Sequence, residues 1–302
     1  MKIRALLIAG PTASGKSAVG LKLARRFRGT IVNADSMQVY RDLKILTARP
    51  SAEEEAQAPH QLFGSVDGAM NFSVGRWLEA ARAVLAQSDA LLLFVGGTGL
   101  YFRALTQGLS DIPRVPDDVR ARIRAEAEGA PTSALHARLT KIDPATAARL
   151  RPSDRQRLLR ALEVLQATGR PLLAYQDARV PPPLKAGEWA GFFLAPERAG
   201  LKARIETRFE AMLRSGALDE VAALARRGLD PALPVMRAHG APHLIAHLAG
   251  RVSLDEASAL GVRDTRQYSR RQFTWARHQM HDFAWVAPEA AEAAGAEALG
   301  FR

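Results

Sequence analysis

Gly10-Pro11-Thr12-Ala13-Ser14-Gly15-Lys16-Ser17 decides the fold. The octet matches G-x-x-x-x-G-K-[ST], between an apolar run from Ile3 to Ala9 and a helically spaced segment from Gly15 to Phe27. Strand, Gly-rich turn and helix in that order form a phosphate cradle. Glycines free the backbone N–H groups to wrap phosphate oxygens, and the helix N-terminus adds partial positive charge. Lys16 reaches the outer phosphate, and the Ser17 hydroxyl can ligate Mg²⁺. The motif specifies a polyphosphate or diphosphate; it does not specify ATP hydrolysis.

Outward from the cradle, Thr30 to Asn33 has a strand pattern and ends in Ala34-Asp35-Ser36. A helical segment around Val74 to Ala86 leads to an apolar run, Ala90 to Val95, that ends in Gly96-Gly97-Thr98-Gly99. Strands alternating with helices predict a parallel sheet covered on both faces, an α/β fold of the P-loop NTPase type. Ligands on such sheets bind beyond the carboxyl ends of the strands, where all three loops fall. From about Arg114 to Arg179 the chain turns Ala/Arg/Leu-rich. Helical spacing runs over Asp117 to Glu128, Ser133 to Leu139, Pro144 to Leu150 and Asp154 to Thr168, between Pro113/Pro116 and Pro181-Pro182-Pro183. This predicts a helical insertion, residues 113–180, within a discontinuous core of residues 1–112 and 181–302. Phe192 to Leu194 resumes a strand, and the pattern is mostly helical from Leu201 onward.

Composition narrows the partner. The 42 Lys and Arg against 31 Asp and Glu give +11, an excess that points to a polyanion. Two clusters carry it: Arg149, Arg151, Arg155, Arg157 and Arg160, and Arg263, Arg266, Arg270, Arg271 and Arg277 with Tyr268, Phe273 and Trp275 interleaved. Arginine beside aromatics suits phosphate contact plus base stacking on single-stranded RNA loops. A solvated helix face is the alternative, but it normally mixes signs, and Asp264 is the only acid from Arg263 to Met280. The chain has no Cys, so disulfides, thiolate chemistry and Cys-held zinc are excluded, in keeping with a reducing cytoplasm. The apolar part of the opening, Ala5 to Ala9, runs straight into the Gly-rich motif and is expected to be a buried strand rather than a leader. No stretch reaches the ~18 apolar residues of a membrane span.

Asp35, at a strand's carboxyl end on the cradle's rim, suits a general base, or equally a helix N-cap. Thr98 can hydrogen-bond a phosphate oxygen or be an ordinary turn residue. His239, His243 and His247 have i, i+4, i+8 spacing, yet Gly240 and Pro242 interrupt a helix between the first two. Surface or core histidines are favoured there over a metal site.

The blocks GPTASGKS (10–17), NADSMQVYR (33–41), TARP (47–50), VGGTGLYF (95–102), DRQRLLRALEV (154–164), RIETRFEAML (204–213) and TRQYSRRQFTW (265–275) occur in one order over nearly the whole chain. In this the sequence resembles the bacterial tRNA dimethylallyltransferase family. The resemblance implies a P-loop core whose helical insertion grips the anticodon stem-loop. It implies transfer of a dimethylallyl group from dimethylallyl diphosphate to the exocyclic amine of the adenosine next to the anticodon. By the same resemblance, Asp35 corresponds to the general base and Thr98 to a site threonine, with Lys16 among the catalytic groups. Gly10 to Ser17 bind the diphosphate, joined by Arg204 or Arg208. The tRNA contacts are Asp35, Ser36, Met37, Gln38, Thr98, Arg120, Gln156, Arg157, Leu158, Leu159, Arg160, Arg270, Arg271, Gln272, Trp275 and Arg277. Mg²⁺ on Ser17 is the implied cofactor, and the chain is expected to be a cytoplasmic monomer. Two stretches depart from the family: Pro59-His60-Gln61 stands where consecutive histidines are common, and Met236 to Ala241 replaces a block with Gly-Tyr. A small-molecule or nucleotide kinase is the alternative for the P-loop; no N-K-x-D signature supports a GTPase.

Overall fold

The computed structural model describes residues 3–175 and 179–301. Its strands are β1 (Ala5–Ala9), β2 (Thr30–Asn33), β3 (His60–Gln61), β4 (Leu92–Gly96), β5 (Leu109–Ser110), β6 (Arg179–Val180), β7 (Trp189–Leu194) and β8 (Ala284–Val286). The helices are α1 (Lys16–Phe27), α2 (Ala52–Glu55), α3 (Val74–Gln87), α4 (Gly99–Gln107), α5 (Asp117–Glu126), α6 (Thr132–Ile142), α7 (Pro144–Arg149), α8 (Arg155–Thr168), α9 (Arg198–Arg214), α10 (Ala217–Arg226), α11 (Ala241–Leu248), α12 (Leu254–Gln279) and α13 (Ala291–Ala298).

Six strands form one parallel sheet in the order β3-β2-β4-β1-β7-β8. All five residues of β1 (ALLIA) and of β4 (LLFVG) are buried, as expected for central strands covered on both faces. Leu6, Ile8, Leu93 and Val95 pack with Val19 and Leu23 of α1, with Ile31, and with Phe192 and Leu194 of β7 into one core. On the other face Trp77 of α3 is fully buried, stacks on Tyr101 at 4.0 Å and donates its indole N–H to the Asn33 carbonyl. The fold is a P-loop NTPase-like α/β core with helices inserted in it. The strands aim the chain after Ala9, Asn33 and Gly96 at one rim.

The chain divides into two compact units, residues 1–107 with 182–302, and residues 108–181. The second begins at Gly108, where 113 was expected, because β5 pairs antiparallel with β6 and closes the base of the insertion before Pro113. Its interior is a helical core in which Ile123 of α5, Leu135 and Leu139 of α6, Ala147 of α7, and Leu158 and Leu162 of α8 meet. β8 was not expected from the sequence: three residues on a sheet edge, two of them exposed, give no apolar run. Among the described residues no helix is long and apolar enough to cross a membrane.

Candidate active site

The loop after β1 is held open by its backbone. Gly15 lies at φ 87° immediately before α1, and Ala13 also has a left-handed φ of 60°. Positive φ is nearly free for glycine and strained for alanine, so the loop keeps its curve because its surroundings impose it. Lys16 Nζ folds back onto the Pro11 carbonyl at 3.2 Å. Burial holds its ammonium below the ordinary lysine range, at about 8, partly offset by the Asp35 carboxylate; Arg208 pushes in the same direction as burial. A lysine so placed has lost much of its hydration, and an incoming phosphate oxygen is a partner that would raise its pKa again. The Ser14 hydroxyl is buried without a hydrogen-bond partner inside the same loop.

Thr12, Ala13, Lys16, Ser17 and Asp35 line a cavity of about 100 Å³. Ile205, Arg208, Phe209 and Met212 of α9 line it too, with Leu46, Ala48, His239 and Tyr268. Ile205, Phe209 and Met212 are spaced i, i+4, i+7 and so share one face of α9, with Arg208 beside them. Burial also lowers the Arg208 pKa, against the pull of Asp35. Lys16, Arg208 and Asp35 thus share a polar region, whereas Leu46, Ile205, Phe209 and Met212 are apolar. This separates the two arginines of the α9 block: Arg208 faces the cavity, while Arg204 is exposed and its Nε–H donates to the Ala13 carbonyl at 3.1 Å, bracing the loop from outside.

Asp35 caps no helix, which corrects that alternative. Its Oδ1 accepts the Met37 N–H at 2.9 Å in a turn spanning residues 36–39, an Asx turn. Three loop segments are laced together around it. The Thr98 hydroxyl accepts the Ser36 N–H at 2.9 Å and hydrogen-bonds Tyr268, so Thr98 holds the Asp35 turn. Tyr268 is raised above the ordinary tyrosine range by burial and by Asp35, and its hydroxyl stays protonated. Met37 and Gln38 also line the cavity, and the Gln38 amide is tied to the Thr47 and Ala48 carbonyls at 2.9 and 3.0 Å.

Gln272 lies where α12 meets two of the loops. It was expected to contact tRNA, but its side chain is buried. Its Oε1 accepts the Thr12 N–H at 2.9 Å, and its Nε2–H donates to the Gly97 carbonyl at 2.9 Å. α12 is thereby tied to the phosphate loop and to the loop after β4. The glycines of that second loop follow from close approach: a Cβ at Gly96 would lie 2.0 Å from the Ala34 carbonyl oxygen, at Gly97 2.1 Å from Gln272 Nε2, and at Gly99 2.1 Å from the Trp275 ring. Trp275 is half-buried against Gly99. Arg270, Arg271 and Arg277 do reach solvent, with Arg271 over the Tyr268 ring at 5.7 Å and Arg277 over Trp285 at 5.9 Å.

In the inserted unit, Gln156 and Arg157 are exposed at the start of α8 and Arg160 is partly exposed. Leu158 is a correction: it lies on the inward face of α8 with 0% exposure, so its side chain cannot meet a ligand. Leu159 is half-buried against the same core. Arg120 is engaged with Asp117 and Glu163. The three histidines do not converge. His239 packs on Tyr268 at 4.5 Å and is lowered by burial and Arg271, His243 pairs with Asp264 at 2.7 Å, and His247 bonds the Val252 carbonyl. Among the described residues no group of three or more His, Cys, Asp or Glu could hold a metal ion.

A P-loop opening on a cavity with a cationic and an apolar region defines a diphosphate-handling transferase rather than a nucleotide switch. The comparisons make the family specific. A family model described as IPP transferase matches residues 38–279, and one described as isopentenyl transferase matches residues 3–62. The chain is 66% identical to a tRNA dimethylallyltransferase of Methylocella silvestris, over 97% of both chains. Its fold is similar to that of the tRNA isopentenylpyrophosphate transferase of Bacillus halodurans, with TM-score 0.69, 32% identity and coverage of 99% of this chain and 97% of that one. It is also similar to a eukaryotic dimethylallyltransferase acting on tRNA, with TM-score 0.78, 25% identity and coverage of 95% and 74%. The chain belongs to the tRNA dimethylallyltransferase family.

Proposed function

We propose that this chain transfers the dimethylallyl group of dimethylallyl diphosphate to the exocyclic amine of the adenosine adjacent to the anticodon in tRNA. The observation that carries the reading is the mixed lining of one cavity. Lys16, Arg208 and the loop amides suit a diphosphate, Leu46, Ile205, Phe209 and Met212 suit a five-carbon tail, and Asp35 lines the same cavity within the field of both cations.

An adenine amine is a poor nucleophile because its lone pair is delocalised into the ring. As the new N–C bond forms, the Asp35 carboxylate accepts the N–H proton. The allylic C–O bond breaks with its electron pair going to the diphosphate. Lys16, Arg208 and the Gly15, Lys16 and Ser17 N–H groups at the start of α1 stabilise that growing negative charge, a contribution of roughly 3–4 kcal/mol per well-placed donor. Thr98 and Tyr268 keep the Asp35 turn aimed at the cavity. Ser17 is exposed at the cavity, and its hydroxyl fits Mg²⁺, which keeps several waters and binds largely through substrate phosphates. Bound there, Mg²⁺ would neutralise diphosphate charge.

The exposed Gln156 and Arg157 of the insertion, with the partly exposed Arg160 and Arg120, would grip the anticodon stem-loop, while Arg270, Arg271, Trp275 and Arg277 would receive the extruded strand. A looped base is the least costly to take out of its stack. With cavity and basic surfaces in one chain, we read it as a cytoplasmic monomer. The test is mass analysis of tRNA nucleosides after incubation with dimethylallyl diphosphate and Mg²⁺. A five-carbon gain on one adenosine is expected. No gain, together with phosphoryl transfer from ATP to a small acceptor, would return the chain to the kinases.

A further inference from the structure

Glu163 is the one carboxylate buried in the inserted unit's α8, its side chain only 4% exposed. A buried carboxylate is unfavourable unless cations and hydrogen bonds surround it. Three do. Arg124 Nε approaches Glu163 Oε1 at 3.1 Å, while Arg120 Nε and Arg160 Nη1 each approach Oε2 at 3.9 Å. Arg120 and Arg124 are spaced i, i+4 on α5, and Arg160 lies one turn before Glu163 on α8, so two helices point their guanidinium groups at one carboxylate. The arginines are not themselves buried: their side chains are 23%, 38% and 36% exposed. Each guanidinium carries five N–H donors; Glu163 accepts one hydrogen bond, from Arg124 Nε–H, and holds Arg120 and Arg160 by charge at 3.9 Å, so it leaves most of the donors for another acceptor. The nearby acid, Asp117, is 72% exposed and is shared by Arg120 and Arg114.

We infer that Glu163 is a positioning residue that fixes Arg120, Arg124 and Arg160 as one rigid fork for neighbouring phosphates of the tRNA backbone. The inference rests on the function proposed above and adds to it Arg124 as a phosphate ligand and Glu163 as the group that aims all three. Pre-aimed arginines bind better because they lose less side-chain freedom per contact, and planar guanidinium groups suit bidentate phosphate recognition.

The sign of one substitution separates this from a simple field effect. Glu163→Gln removes a negative charge from beneath a basic surface. If only the summed charge attracted tRNA, the variant would bind more tightly. If Glu163 aims the fork, it binds more weakly in spite of the added positive charge. We expect the Kd for tRNA to rise about tenfold and the salt slope to become shallower. The KM for dimethylallyl diphosphate, set in the other unit, should be unchanged.

A double-mutant cycle excludes a merely structural role. Arg160→Ala should weaken tRNA binding clearly in the wild type and add little in the Glu163→Gln background, because the fork is already lost. Additive losses would overturn the inference, as would unchanged or tighter binding by Glu163→Gln. Melting curves accompany each variant. If Glu163→Gln melts below the assay temperature, Glu163→Asp replaces it throughout, keeping the charge one methylene back, with a smaller loss of the same kind expected. Wild-type protein that neither binds nor prenylates tRNA would instead sink the functional reading itself.

Discussion

Asp35→Asn separates chemistry from architecture in the candidate site. The Met37 N–H bond of 2.9 Å ends on Oδ1, an atom that asparagine keeps. The turn should therefore persist, with a stability change of no more than about 0.5 kcal/mol and a melting shift within about 2 °C. The proton acceptor is lost, so single-turnover transfer at saturating tRNA should slow by roughly 10²–10⁴-fold, or about 3–5 kcal/mol of barrier. A second signature lies in Lys16. Asp35 raises the Lys16 pKa against burial, which leaves it at about 8. Without the carboxylate that pKa falls further. Binding of dimethylallyl diphosphate to the wild type should weaken as pH rises through about 8, where the ammonium loses its proton, and the variant should weaken at lower pH. At pH 7 its affinity should match or exceed the wild type's, since a negative charge near the phosphates is gone. Stopped-flow or quench transfer, a ligand titration across pH and a thermal melt make the full experiment. Near-normal turnover would refute Asp35 as the base, and a collapse of the melt would make it structural.

Lys16→Ala should weaken diphosphate binding and transfer while tRNA affinity, measured by filter binding, stays near the wild type's. In the wild type the depressed Lys16 pKa means that the unfolded chain holds more protons between about 8 and its ordinary value, so stability gains from rising pH there, and the variant should lack that gain. Arg270→Ala with Arg271→Ala should raise the tRNA KM and reduce the salt slope by about one per lost phosphate contact; an unchanged slope would make that surface a solvated face. Phe209 is buried against Gly240 and Gly261, where a Cβ would lie 2.8 and 2.6 Å from its ring, so it forms a fixed end wall of the cavity. Removing that ring frees space along the apolar part of the lining; Phe209→Ala should raise transfer from geranyl diphosphate relative to dimethylallyl diphosphate, and an unchanged ratio would reject Phe209 as the wall.

What was legible in the sequence was local. The phosphate loop, β2 and the four helices of the insertion announce themselves because their pattern lies within a few turns of chain. Asp35 was legible as a rim residue, but its turn was not, because an Asx turn and a helix cap use the same residue type at the same spacing. Gln272 was misread because a glutamine among arginines on a long helix looks solvated, and its partners, Thr12 and Gly97, are far away in sequence. The glycines at 96, 97 and 99 carried no cause in the sequence; their cause is contact with Ala34, Gln272 and Trp275. Leu158 sat inside a block assigned as a unit, and only helix phase separates its inward side chain from the outward Gln156 and Arg157. Glu220 on α10, which accepts the backbone N–H groups of Lys44, Ile45 and Leu46 beside the cavity wall, left no sequence signal at all.

The position of β7 in the sheet has a consequence for synthesis on the ribosome. β1 lies between β4 and β7, and β7 is translated only after the whole inserted unit. The emerging chain therefore carries the most apolar strand of the core with one edge unpaired while a contiguous helical unit, rich in local contacts, can already close. The Thr12 amide waits longer still, since Gln272 is made near the end. Stalling or cleavage between the insertion and α12 should leave a species with a folded insertion and an open, aggregation-prone strand edge, the kind of substrate that trigger-type chaperones and proteases recognise.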